Sequence, residues 1–147
     1  MTAVQIKKIL LAVDLSPHTH MVTEYAACLA KTFGSEILAV HVVPALVNYG
    51  RFKVPDHVME TYMKEVVGGA EKSINEFVKK EFQGCKAQGR VLSGDVADEI
   101  LNLAEESDVD FIVMGTNSRG KVERFFFGSE ADKIVKRANI PVLTVRC

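Results

Sequence analysis

At 147 residues, with 48% hydrophobic and 25% charged residues, the chain has the make-up of one soluble globular domain with room for a proper core. A net charge of −1, no Trp and no basic run interleaved with aromatics exclude a nucleic-acid module and give no pull toward an anionic membrane. No apolar stretch approaches the roughly 20 residues a membrane span needs, the N-terminus lacks a signal-peptide layout, and Cys28, Cys85 and Cys147 form neither a pair nor a zinc spacing, so a cytoplasmic protein is expected.

The elements follow from the apolar pattern. Lys8 to Asp14 is a continuous apolar run ending in an acid, which is how a strand covered on both faces reads. Ser16-Pro17 breaks it. The spacing then predicts a helix from about Thr19 to Phe33, with Val22, Ala26, Leu29, Ala30 and Phe33 as its stripe and Gly34 just past its end. Glu36 to Val43 reads as a second strand, stopped by Pro44. A loop holding Gly50 and Pro55 leads to a long helix, capped by Asp56 and reaching about Glu81, whose stripe is Met59, Met63, Val66, Ala70, Ile74 and Phe77. Gly68-Gly69 in its middle weakens it by about 1 kcal/mol per glycine relative to Ala.

Lys86 to Leu92 is a weaker third strand, and Ser93-Gly94 turns it. Asp95 caps the next helix, on which Val96, Ile100 and Leu103 share a face. Phe111 to Met114 is the fourth strand. A helix from Glu130 to Ala138 is expected to bury Ala131, Ile134, Val135 and Ala138, and Pro141 to Val145 is the fifth strand. The alternation implies a single-domain α/β fold: an open parallel five-stranded sheet with helices on both faces and right-handed crossovers. A ligand then lies beyond the carboxyl ends of the strands, among the loops at Asp14–Pro17, Val42–Pro44, Ser93–Asp95 and Gly115.

The loop from Gly115 to Ser129 carries the strongest chemical signal. It joins a buried strand to a helix, and glycines there let backbone N–H groups approach an anion at the helix N-terminus. Gly115-xxxx-Gly120-Lys121 matches a Walker A loop until Val122, where a Ser or Thr would hold Mg²⁺. It also follows the fourth strand rather than the first, which argues against a P-loop NTPase. His18-x-His20 lacks the carboxylate or cysteine partners of a metal site. His41, in an apolar strand, reads as a satisfied core histidine. Phe125-Phe126-Phe127 reads as core packing, and no cysteine has an activating neighbour. Asp14 reads as a crevice-bordering or loop-capping acid, and Ser129 as a phosphate-site or helix-capping hydroxyl.

In order and spacing the whole chain resembles the universal stress protein family. The matching residues are Ile9 to Ser16, Val40-His41-Val42, Val113-Met114-Gly115-Thr116, Gly128-Ser129 and Ile140 to Val145. Nucleotide-binding members carry Gly-x-x-Gly, nine residues, then Gly-Ser or Gly-Thr. Here Gly115 and Gly128-Ser129 keep that spacing, and Ser118 replaces the second glycine.

The resemblance implies a Rossmann-like, adenine nucleotide alpha hydrolase-like domain over residues 1–147 that binds ATP or AMP, with or without Mg²⁺. By the same resemblance Gly115, Arg119, Gly128 and Ser129 line the phosphates, Asp14 accepts from the ribose, and Ala12, Val13 and Val42 frame the adenine. Met114, beside Gly115, belongs to the same site. Ser118 puts a hydroxyl where backbone would approach phosphate, and Glu130 puts a negative charge where a phosphate tail would lie, offset by Arg119, Lys121 and Arg124.

No catalytic triad, paired carboxylates or metal cluster is visible, so the expected role is that of a regulator or sensor in the stress response, with any hydrolysis slow and incidental. The alternatives are a nucleotide-free dimeric adaptor acting on an unknown protein partner and a slow ATP-hydrolysing enzyme. The apolar residues Val142, Leu143 and Val145 on a last strand predict a homodimer paired through that strand, as family dimers do.

Overall fold

The computed structural model describes residues 3–15, 20–44, 55–116 and 127–146. Five parallel strands, β1 (Lys8–Ala12), β2 (Glu36–Pro44), β3 (Ala87–Gly94), β4 (Phe111–Thr116) and β5 (Val142–Arg146), lie in the order β3-β2-β1-β4-β5. Between them run α1 (His20–Phe33), α2 (Asp56–Glu81), α3 (Val96–Glu106) and α4 (Phe127–Arg137). The α/β architecture read from the sequence is the one observed.

The sheet is covered on both faces, which is why its central strands are apolar at consecutive positions. Leu10, Ala12, Leu38, Val40, Ile112 and Met114 pack with Ile100 and Leu103 of α3 and Ala131 and Ile134 of α4. Ile9, Leu11, Val13, Ile37, Ala39 and Val113 face the other way, against Val22, Ala26 and Ala30 of α1 and Ile74 and Val78 of α2.

Local chemistry sets the boundaries. α1 stops at Gly34, whose φ of +65° suits glycine, and the Ser35 N–H reaches the Ala30 carbonyl at 2.9 Å to close the helix end. Asp95 caps α3, accepting from the Asp98 N–H at 3.0 Å. At α2 the cap position belongs to Pro55, without a side-chain hydrogen bond, so Asp56 lies inside the first turn rather than capping it. α4 begins at Phe127, three residues before the expected Glu130.

Phe33 and Val135, expected inside, are about half exposed. Their helices each lay one stripe on the sheet, and these two residues flank it.

β5 also differs from expectation. Val142 packs on one core and Leu143 on the other, and Val145 is buried. Its apolar side chains are therefore largely engaged within the subunit, with Val142 and Leu143 partly exposed. The Ile112 N–H bonds to the Pro141 carbonyl, which turns Leu143 and Val145 toward β4. The backbone groups of Val142 and Thr144 then face the open edge.

Candidate functional site

The strand order reverses between β1 and β4. β1 leads outward through β2 to β3, and β4 leads the other way to β5. In open α/β sheets a reversal of this kind marks where a ligand crevice lies, beyond the carboxyl ends of the strands. Beside this point a crevice is lined by Ala12 at the end of β1, Val13 and Asp14 just past it, Val40, His41 and Val42 of the neighbouring β2, and Val96 and Ile100 of α3. The cavity there is small, about 10 Å³, and opens to solvent.

The structure thus brings together Ala12, Val13, Asp14 and Val42. Val13 is tied on both sides, its N–H donating to the Val40 carbonyl at 2.8 Å and its carbonyl accepting from His41 Nδ1 at 2.8 Å. His41 is half-buried and hydrogen-bonded, as the sequence suggests, but it also lines the crevice. Leu15, directly after Asp14, holds a φ of +61°. A left-handed leucine is uncommon, and such strain of about 1–3 kcal/mol gathers where a loop is shaped for a purpose.

Val40, Val96 and Ile100 were not among the sequence candidates. The available signal was position: α3 starts at the loop after Gly94, so its first apolar residues border the crevice.

On the other side of the switch point, Gly115 is buried near the end of β4, opposite Val145. Met114 is fully buried in the core with Ala12, Val42 and Val96, beneath the crevice wall. Gly128 and Ser129 sit in the first turn of α4, where backbone N–H groups have no intrahelical partner and the helix end carries partial positive charge. Ser118 and Arg119 lie outside the described residues, as do Lys121, Arg124 and His18.

Glu130 has a defined partner. Its Oε2 accepts from the Ala97 N–H at 3.0 Å, and its Oε1 from Lys133 Nζ at 3.2 Å. The first bond caps α3, the neighbouring helix. Lys133 is held above the usual lysine pKa range, chiefly by the Glu130 hydrogen bond. The Glu130 charge is thus answered by a lysine and by the α3 N-terminus. Among the described residues no group of three or more His, Cys, Asp and Glu side chains could hold a metal ion, and His20 is paired with Glu24 at 3.1 Å.

The model of the universal stress protein family matches residues 5–146. The chain belongs to that family. It is 33% identical over 144 residues to a universal stress protein of Thermus aquaticus, covering 95% of this chain and 98% of the relative. Among solved structures it is similar to protein MJ0577 of Methanocaldococcus jannaschii, with a TM-score of 0.78, 25% identity and 98% of each chain covered. It is also similar to a universal stress protein from Archaeoglobus fulgidus solved in complex with dAMP, with a TM-score of 0.58 and 27% identity over 95% of this chain and 97% of the other.

Proposed function

We propose that this universal stress protein binds an adenine nucleotide, ATP or AMP, in the crevice at the β1/β4 switch point, and acts as a cytoplasmic regulator or sensor in the stress response. The observation that carries the reading is the convergence of Ala12, Val13, Asp14 and Val42 on one partly apolar crevice beside the switch point. Across that point, Gly128 and Ser129 stand in the first turn of α4, the end of a helix at which backbone N–H groups suit an anion. The dAMP complex of the Archaeoglobus fulgidus relative supports an adenine nucleotide as the ligand class.

In this reading Ala12, Val13, Val42, Val96 and Ile100 border the base and Asp14 accepts from the ribose. Gly115, Ser118, Arg119, Gly128 and Ser129 surround the phosphates, with Mg²⁺ as a companion to ATP, and the base-to-phosphate axis spans β1 to β4. The nucleotide-free adaptor draws its support from Ser118 in place of a glycine and from the Glu130 charge. The Ala97 bond and Lys133 answer that charge and weaken the Glu130 part of that support.

A homodimer paired through β5 belongs to the same proposal. Its basis is the open backbone edge at Val142 and Thr144. Pairing about a two-fold axis is self-complementary there.

Native mass spectrometry of gently purified protein tests the ligand. Bound ATP or AMP is the expected result. Protein that emerges empty and stays empty after dialysis against millimolar ATP contradicts it.

A further inference from the structure

Glu130 bridges two helices with different duties. It belongs to the first turn of α4, next to Gly128 and Ser129. Its carboxylate, with only 15% of the side chain exposed, reaches across to the first turn of α3 and takes the Ala97 N–H at 3.0 Å. Ala97 itself is fully buried and lies between Val96 and the rest of the α3 face that carries Ile100, the two residues that close the crevice. Asp95 takes the Asp98 N–H one position further on. Two carboxylates therefore satisfy successive donors of the α3 N-terminus, one from its own chain neighbour and one from α4.

The contact is reinforced at the surface. Arg137, at the far end of α4, meets Asp98 of α3 at 2.7 Å. The α3–α4 pair is thus held at both ends of α4, and Glu130 supplies the end nearest the crevice.

We infer that Glu130 is a positioning residue for nucleotide binding: by holding Ala97 it fixes the Val96–Ile100 wall relative to the α4 N-terminus, and so couples the base side of the site to the phosphate side. The inference rests on the nucleotide reading above. Its distinguishing feature is that reach, rather than charge, is what Glu130 contributes. A shift of α3 by a fraction of an ångström at Ala97 changes the width of an apolar slot, and close-packed walls tolerate little such change.

Two single substitutions separate reach from charge. Glu130→Gln keeps an acceptor oxygen at the same distance and removes the charge. Glu130→Asp keeps the charge and withdraws the oxygen by one methylene. Binding of ATP, adenosine and inorganic tripolyphosphate is measured by calorimetry for both variants and the natural protein, and amide exchange at Ala97 is followed alongside.

Positioning predicts that Glu130→Asp weakens ATP and adenosine by a similar factor, at least about fivefold, the low end of coupling between sites. It leaves tripolyphosphate unchanged and speeds exchange at Ala97. Glu130→Gln stays within about twofold of the natural protein for all three ligands. The inference is overturned if Glu130→Gln tightens ATP and tripolyphosphate while Glu130→Asp changes nothing, which is the signature of charge repulsion. It is equally overturned if Ala97 exchange rises in Glu130→Asp and no affinity moves, which is a helix cap without a binding role. If the natural protein binds neither ATP nor adenosine, the nucleotide reading itself fails and the inference falls with it.

Discussion

His41 and Val13 are joined across the crevice rim by a 2.8 Å hydrogen bond from the imidazole Nδ1 to the Val13 carbonyl. A carbonyl can only accept, so Nδ1 carries the proton and the tautomer is fixed. The bond holds the backbone at the point where β1 gives way to Asp14. Replacing His41 by Ala is expected to lower stability by about 1 kcal/mol, a melting shift of about 2–4 °C in a chain of this size. Nucleotide affinity should fall as well. Thermal unfolding of the variant checks the first effect, and an unchanged midpoint would contradict it.

The glycines separate by sign. Gly94 has a φ of +141°, and a Cβ there would meet Glu99 Oε1 at 2.7 Å, so Gly94→Ala is expected to cost about 1–3 kcal/mol. Gly68 and Gly69 lie in the α2 interior with open space around them. Gly68→Ala and Gly69→Ala are each expected to raise stability by up to about 1 kcal/mol. Urea unfolding of the three variants decides it. A stabilising Gly94→Ala or a destabilising Gly68→Ala would break the account of these helices.

Glu36 gives a pH dependence with a definite sign. The Lys86 hydrogen bond holds its carboxyl below the usual value of 4.5, against an opposing push from burial and with further help from Lys8. A carboxyl depressed in the folded state stabilises the fold fully above its unfolded pKa. That contribution fades as pH falls through the folded value. The stability gap between the natural protein and Glu36→Gln should therefore be widest at neutral pH, shrink below about pH 4 and narrow in high salt. A gap that grows on acidification would contradict the ion-pair reading.

The shape of the fold is legible in the sequence because each strand run ends at a turn residue and each helix has a period. Gly34 and Asp95 do what their residue types suggest. The depth of burial is less legible: a stripe names a face but not its width, so Phe33 and Val135 were expected inside and lie half exposed. At the crevice, Asp14 and Val42 could be named from where strand runs give way to loops, and Ala12 and Val13 only through the family resemblance. Val96 and Ile100 could not, because they reach the site from a helix side. The Glu130–Ala97 bond spans 33 residues, and no local pattern encodes it.

The β5 edge predicts a dimer whose strength lies in backbone pairing. Thr144 is exposed and its N–H turns away from β4, so Thr144→Pro removes an outward donor while sparing the internal ladder. Light scattering should show a dimer for the natural protein and a monomer for Thr144→Pro. A natural protein that is monomeric at micromolar concentration would sink the pairing.

On this reading an adenine nucleotide sits in the crevice beside the β1/β4 switch point. Calorimetric titration of ATP, with and without Mg²⁺, into the natural protein and Gly128→Asp tests it most directly. The account predicts one site per chain for the natural protein. In Gly128→Asp binding should be lost, because a bulky negative group then stands at the α4 N-terminus. No binding heat in the natural protein at millimolar ATP, or equal binding in Gly128→Asp, would contradict it.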